Sequence, residues 1–132
     1  MKLYYPQMPI KNSLEPKKHF FWIAIIFTII FTYLFLQSNS SLPKVNINQI
    51  DKFVHATFHF IFTLIWFLSF RIRNVENLKK AVAISILYGI LIEILQQLLT
   101  TTRQADVFDL LANITGSIIA VYSLNHWLKH KK

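Results

Sequence analysis

The chain has 132 residues, of which 54% are hydrophobic, and it carries a formal net charge of +8. Its mean hydropathy of +0.41 and its twelve phenylalanines are not those of a soluble domain of this size. No cysteine is present, which excludes disulfides, thiolate catalysis and metal ligation by sulfur.

The hydrophobic excess is concentrated in four apolar runs, at residues 20–36, 53–70, 81–99 and 107–124. Each run has 17–19 residues, near the minimum that an α-helix needs to cross about 30 Å of hydrocarbon. All four prolines lie outside the runs, so the helices are uninterrupted. The pattern predicts an all-α polytopic membrane protein with a four-helix transmembrane domain (20–127), an N-terminal arm (1–19) and a basic tail (128–132).

The first apolar run has an alternative interpretation as a cleaved signal peptide. It follows Lys17 and Lys18 and precedes a Ser-Asn-Ser tract at positions 38–40. However, its seventeen bulky residues exceed the about 7–15 residues of a usual signal-peptide core, and the polar leader before it is long. A retained first span is therefore predicted.

The positive charge follows the predicted topology of the chain. Eleven of the fourteen basic residues lie before the first run, between the second and third runs, or after the fourth. By the positive-inside rule, this distribution predicts that both termini and the middle loop face the cytoplasm. The net charge is then an orientation signal that anionic lipid headgroups reinforce, so membrane lipids rather than nucleic acid are the expected partners.

Polar residues collect at the other, predicted outer, end of the spans. An ionisable side chain inside a span costs about 2.5–3.5 kcal/mol on insertion scales, so Glu93 in the third run needs a partner or a function. Helical spacing places three polar sets on three helix faces: Asp51, His55 and His59; Gly89, Glu93 and Gln96; Asp106, Asp109, Asn113 and Gly116. Because lipid would leave these groups unpaired, we expect them to face one another or a water-filled pocket.

These residues also have purely structural interpretations. Asp51 and Asp106 are candidate N-caps of the second and fourth helices. His59 and Asn113 suit hydrogen bonds between helices, and Arg103 in the outer loop is either solvated or paired with the nearby acids. Close helix packing explains the only two glycines of the chain, Gly89 and Gly116.

In combination, the polar signatures resemble those of the VanZ-like family of small bacterial membrane proteins. They read Asp51-Lys52-x-x-His55, Gly89-x-x-x-Glu93-x-x-Gln96 and Arg103-x-x-Asp106-x-x-Asp109-x-x-x-Asn113-x-x-Gly116. The resemblance covers about residues 51–120 and departs at His59, where an aromatic residue is usual, and at Ala120, where a small residue, often glycine, is usual. It implies a protein of the bacterial cytoplasmic membrane, in a family named for an accessory factor in resistance to the glycopeptide teicoplanin.

The resemblance implies a binding site at the matching positions, which are Asp51, Lys52, His55, Glu93, Gln96, Arg103, Asp109 and Asn113. The leading hypothesis is a non-enzymatic envelope factor without a cofactor, which binds an anionic headgroup or a lipid-linked cell-wall precursor. Lys52 and Arg103 would form the rim of its pocket, since Arg suits carboxylates and phosphates geometrically. The floor would consist of Glu93, Asp109 and Asn113. A second copy of the chain or another membrane protein is a further candidate partner.

Three other hypotheses stay open. Glu93 with His55 suits general acid–base catalysis in a membrane-embedded hydrolase or transferase acting on an isoprenoid pyrophosphate. A metal site at His55 and His59, with Glu93 or Asp109 as third ligand, has a permissive spacing, but no metal is predicted because the glutamate of a His-Glu-x-x-His motif is missing. A proton-coupled carrier is disfavoured because four helices are few for transport. For Glu93, structural pairing alone is the remaining interpretation.

Overall fold

The computed structural model describes residues 18–37, 48–101 and 104–130. These residues form four α-helices, α1 (Lys18–Leu36), α2 (Asn48–Ser69), α3 (Val75–Leu99) and α4 (Val107–His130). Every one of them is long and apolar enough to cross a membrane, which confirms the predicted all-α architecture with four spans. The predicted N-terminal arm lies outside the described residues up to position 17, as do positions 131–132 of the predicted tail.

Three helices extend five or six residues beyond one end of the apolar runs that predicted them. α2 begins five residues before position 53, α3 begins six residues before position 81, and α4 continues six residues beyond position 124. Polar residues extend these helices because caps and charges satisfy the terminal backbone groups. The side chain of Asn74 accepts the backbone N–H of Asn77 at 2.9 Å, and Lys129 and His130 lie in the last turn of α4, where the helix dipole favours cations.

α2 is the central helix, and it packs against all three of the others. Its approach to α4 depends on Gly116, where an added Cβ would collide with the backbone carbonyl of Ala56. α1 is peripheral, since only Ala24 and Phe35 are buried among its residues. This arrangement follows from composition, because the span of α1 at residues 20–36 has no charged residue to shield from lipid, and its two threonines, Thr28 and Thr32, make single hydrogen bonds to Trp66 of α2 and Tyr88 of α3.

The surface of the bundle is apolar. Large side chains such as Ile29, Leu87 and Phe108 are about two-thirds exposed in the isolated chain. A soluble protein does not leave such an area uncovered, whereas lipid tails solvate it well. The chain is a multi-pass membrane protein.

The interior of the bundle is divided along its length. We define the polar end as the end where α2 begins, α3 ends and α4 begins, and the opposite end as that of the α2–α3 connection. Toward the opposite end the core consists of Phe67, Leu78, Ala81 and Leu124. A second apolar cluster, around Phe35, Phe58, Phe62 and Ile92, attaches α1 to α2 and α3. The polar end has a core of a different chemical character.

Candidate functional site

Four polar side chains from three helices are buried together at the polar end. His55 on α2 is 0% exposed, Glu93 on α3 is 6% exposed, and Asp109 and Asn113 on α4 are 7% and 1% exposed. Together they represent all three predicted polar faces, and the two residues of α4 lie one turn apart on the same face. The faces therefore meet inside the bundle, because facing lipid would leave two carboxylates and an imidazole unpaired in hydrocarbon.

His55 lies at the centre of this cluster. Its Nδ1 is 2.9 Å from Asn113 Oδ1 and 3.6 Å from Glu93 Oε1, so it connects α2 with both α4 and α3. Its Nε2 lies 3.9 Å from Asp109 Oδ2. The ring also packs against Phe35 of α1, with the two ring centroids 4.6 Å apart. One side chain thus contacts all four helices.

Asp106 directly precedes α4 and connects the start of this helix to Glu93 on α3. Its Oδ1 accepts the backbone N–H of Phe108 at 2.8 Å, and its own N–H donates to Glu93 Oε2 at 3.3 Å. Asp106 is therefore the N-cap of α4, as the capping interpretation predicts. The Phe108 N–H, together with the ammonium group of Lys52, holds the pKa of the Asp106 carboxyl below its ordinary value.

Lys52 forms ion pairs with two acids at the start of α4. Its Nζ lies 3.4 Å from Asp106 Oδ2 and 3.7 Å from Asp109 Oδ1. The side chain of Lys52 is 29% exposed, whereas that of Asp109 is 9% exposed. Lys52 and Asp106, whose side chain is 33% exposed, are therefore the accessible members of the group.

Asp51 does not occupy the cap position that the structural interpretation suggested for it. α2 begins at Asn48, so Asp51 lies within the first turn, where the helix dipole still favours a carboxylate. The apolar run placed the start of α2 too late, because the first turn of this helix is mostly polar and does not contribute to the hydrophobic pattern. Asp51 is half-buried, and its carboxylate lies on the same side of α2 as His55, next to Asp109.

A second polar layer lies deeper in the bundle. His59 Nδ1 is 2.9 Å from Ser85 Oγ, which is 2.8 Å from Ser117 Oγ. His59 thus connects helices by hydrogen bonds. Ser85 and Ser117 were missed in the sequence, although Ser85 precedes Gly89 by one helical turn and Ser117 follows Asn113 by one turn, on the same polar faces. Among the described residues, the side chains that could hold a metal ion together are those of Asp51, His55 and Asp109. His59, which the sequence suggested as a second histidine ligand, is not one of them.

Two further predicted residues, Gln96 and Gly89, lie outside the cluster around His55, and a third is not described by the structure. Gln96 Nε2 donates to the backbone carbonyl of Phe35 at 3.0 Å, and so satisfies a carbonyl at the end of α1. A Cβ at Gly89 would lie 3.0 Å from His59 Cε1, so the glycine makes room for the second polar layer. Arg103 lies outside the described residues.

The cluster is compact and acidic. In the described part of the polar end, four carboxylates accompany the single lysine at position 52. Two apolar grooves lie elsewhere on the surface: one of about 530 Å³ between α3 and α4, which Val82 and Ile118 line, and one of about 250 Å³ near Phe31 and Phe53. At the polar end, the imidazole of His55 lies 3.6 Å from one carboxyl group and 3.9 Å from another, an arrangement that can hold a proton or a cation between them.

Comparison with known families gives a match of broad coverage. The family model described as VanZ/LLP1 matches residues 4–128, nearly the whole chain and all four helices. No curated protein and no solved structure matches the chain significantly.

Proposed function

The chain belongs to the VanZ/LLP1 family, and we propose that it is a non-enzymatic accessory factor that raises tolerance to glycopeptides such as teicoplanin. Resistance is an association of the family as a whole, and a membrane location suits it because glycopeptides act on cell-wall precursors at the cell surface. On this proposal the polar end faces outward and both termini are cytoplasmic. The distribution of eleven basic residues supports that orientation.

The observation that carries the proposal is the gradient of exposure across the polar end. Lys52 is 29% exposed, while the groups behind it, His55, Glu93 and Asn113, are nearly or fully buried. A cation at the surface above a buried polar floor is a suitable arrangement for an anionic headgroup of a lipid or of a lipid-linked cell-wall precursor. The buried groups would then position Lys52 through Asp109, which lies 3.7 Å from its Nζ.

The acidic excess restricts how such a headgroup binds. The ligand must approach Lys52 from the open side, since the buried carboxylates would repel it. On this proposal Arg103, which precedes Asp106 by three residues in the sequence, would be the second cation of the rim. We therefore expect Lys52→Gln to weaken binding of inorganic pyrophosphate, used as a soluble probe, to the purified protein.

The decisive experiment compares two carboxylates on α3. Glu93→Gln removes the buried charge, while Glu76→Gln removes an exposed one that pairs with Lys80 at 2.9 Å near the opposite end. In a glycopeptide-sensitive bacterial host, Glu93→Gln should lower teicoplanin tolerance at unchanged protein abundance, and Glu76→Gln should leave tolerance unchanged. Full tolerance of the Glu93→Gln strain at normal abundance would contradict the proposal.

A second candidate function has one specific observation in its favour. Glu93 Oε1 lies 3.6 Å from His55 Nδ1, a separation that modest rearrangement shortens to a hydrogen bond. Such a carboxylate–imidazole pair could act as the general base that activates a water molecule for attack on a lipid-linked pyrophosphate. Purified protein would then release phosphate from an isoprenoid pyrophosphate, and both Glu93→Gln and His55→Asn would abolish release. The accessory-factor proposal predicts no turnover in any of the three proteins.

A further inference from the structure

We propose that Asp51, His55 and Asp109 form a binding site for a divalent cation at the polar end, with Zn²⁺ as the best-matched ion. One potential ligand atom of each residue lies within 4.8 Å of the other two. Two of the ligands are one turn apart on α2, and the third is in the first turn of α4. Zn²⁺ accepts imidazole nitrogen and carboxylate oxygen at about 2.0–2.2 Å, and sites with three protein ligands leave a position for water.

The hydrogen bonding of His55 supplies independent support. The amide oxygen of Asn113 can only accept, so the hydrogen between it and His55 Nδ1, 2.9 Å away, is carried by Nδ1. In the neutral ring, Nε2 then presents a lone pair. This atom is fully buried and has no hydrogen-bond partner, and it lies 3.9 Å from Asp109 Oδ2. A lone pair facing a carboxylate is repulsive unless a proton or a metal cation lies between them.

The same arrangement is what metal-binding histidines use. In such sites the nitrogen that does not bind the metal donates a hydrogen bond, which fixes the tautomer and the orientation of the ring. Asn113 has that role toward His55 here. Because Asn113 is only 1% exposed, water does not compete for its amide oxygen, and this oxygen can hold the His55 ring in one orientation.

The separation of His55 and Asp109 needs little contraction. Two ligands bound at about 2.0 Å to a tetrahedral ion lie about 3.3 Å apart, so the 3.9 Å between His55 Nε2 and Asp109 Oδ2 would shorten by about 0.6 Å. Asp109 Oδ1 is also buried without a hydrogen bond, and its side chain is more than nine-tenths buried. Asp51 is half-buried in the first turn of α2, which gives an ion a route from the surface.

The local charge favours a cation. In the described part of the polar end the carboxylates outnumber the ammonium group of Lys52 by four to one. Lys52 lies 3.7 Å from Asp109 Oδ1 and therefore competes with the ion for that carboxylate. Its other partner, Asp106 Oδ2 at 3.4 Å, lets it remain paired when Asp109 binds metal.

The test uses the full chain, purified in detergent without a histidine tag, stripped with a chelator and titrated with ZnCl₂ by calorimetry. Elemental analysis should give one zinc per chain. Asp51→Asn, His55→Asn and Asp109→Asn should each weaken zinc binding by at least about tenfold. This lower limit is set by the about 10–100-fold loss of metal affinity that follows removal of a residue that only supports a ligand. Glu76→Gln, which removes an exposed carboxylate, and His126→Gln, which removes an exposed imidazole, should bind as the wild type does.

A further variant separates this inference from the headgroup proposal, on which it does not depend. Lys52→Gln removes the competing charge and should strengthen Zn²⁺ binding by about fivefold or more, since two unit charges 4 Å apart interact by about 1 kcal/mol even in water. The same variant should weaken binding of pyrophosphate. Either result can therefore fail while the other holds.

Two outcomes would overturn the cation site. One is a wild-type protein that binds much less than one equivalent of zinc after stripping and titration. The other is equal zinc affinity in the wild type and in Asp51→Asn, which would mean adventitious binding. Asp109→Asn removes a buried charge and can fail to fold, so Asp51→Asn, at a half-buried position, is sufficient for the test. The melting temperature without zinc reports whether each variant is folded.

Discussion

At the polar end, α2, α3 and α4 are joined through His55 and its partners, whereas at the opposite end the same helices meet through Phe67, Leu78 and Leu124. In a membrane, apolar contacts between helices have no hydrophobic advantage over contacts with lipid, so the opposite end depends on the fit of its surfaces. The hydrogen bonds at the polar end are directional and are lost if a helix rotates. We infer that the polar end sets the rotation of each helix, and that the opposite end adds area without specificity.

The largest expected effect comes from removing the centre of the polar end. His55→Leu leaves the amide oxygen of Asn113 and the carboxyl group of Glu93 buried without their imidazole neighbour and should lower the unfolding free energy by about 3 kcal/mol. Phe67→Leu at the opposite end keeps an apolar contact and should cost about 1–2 kcal/mol. Unfolding by SDS in mixed micelles, followed by circular dichroism, measures both. Equal costs would remove the distinction between the two ends.

The glycines give the next largest effects, and they should differ. Gly116→Ala brings a methyl group against the backbone carbonyl of Ala56, which cannot move without separating α4 from α2. The collision should cost about 1–3 kcal/mol, and the about 1 kcal/mol that alanine gains over glycine in a helix offsets part of that cost. Gly89→Ala meets only the side chains of His59 and Asn113, which can yield. The same unfolding measurement should therefore rank Gly116→Ala as the more harmful, and the reverse order would contradict the assigned close approach.

Ser85→Ala tests the deeper polar layer. It removes the hydroxyl that bonds both His59 Nδ1 and Ser117 Oγ. Hydrogen bonds between membrane helices contribute about 0.6 kcal/mol on average, so a loss of about 1 kcal/mol is expected. Ser123→Ala, whose hydroxyl bonds only its own helix at the carbonyl of Ile119, is the matched control. If both substitutions have the same effect, the contacts of Ser85 between helices contribute nothing specific.

The smallest effect concerns Asp106 and depends on pH. The pKa of its carboxyl is lowered from its ordinary value of 3.8, chiefly by the Phe108 N–H. A group with a lowered folded-state pKa stabilises the fold above its unfolded-state pKa and loses that contribution as the pH falls through the folded-state value. Asp106→Asn should therefore be less stable than the wild type at neutral pH, and the difference should begin to shrink near pH 3.8 and disappear below the lower folded-state pKa. A difference that persists in acid would show that the carboxylate charge is not involved.

Much of this organisation could be predicted from periodicity and depth. Counted from the ends of the apolar runs, His59 is about as deep as Glu93 and Asn113, and the cost of placing such groups in lipid predicts that the three helices bring their polar groups together. The histidine that the structure places beside Glu93 and Asn113 is instead His55, one turn nearer the polar end. Gln96 shares the polar face of Glu93 but bonds the end of α1 instead, because helical spacing says nothing about where a neighbouring helix ends. Ser85 and Ser117 were missed because hydroxyls can bond their own helix, so their presence in a span is not costly enough to be informative.

The amino-acid sequence by itself determined that this protein is a bundle of four membrane-spanning helices with its polar residues at one end, because hydrophobic length and the cost of buried charge act on each helix separately. Only the tertiary structure decided which polar atoms are neighbours. Asp51, His55 and Asp109 come together because Gly116 lets α4 approach the backbone of α2, and such an approach is a property of two surfaces. The candidate cation site is for that reason visible in the fold and not in the spacing of the residues.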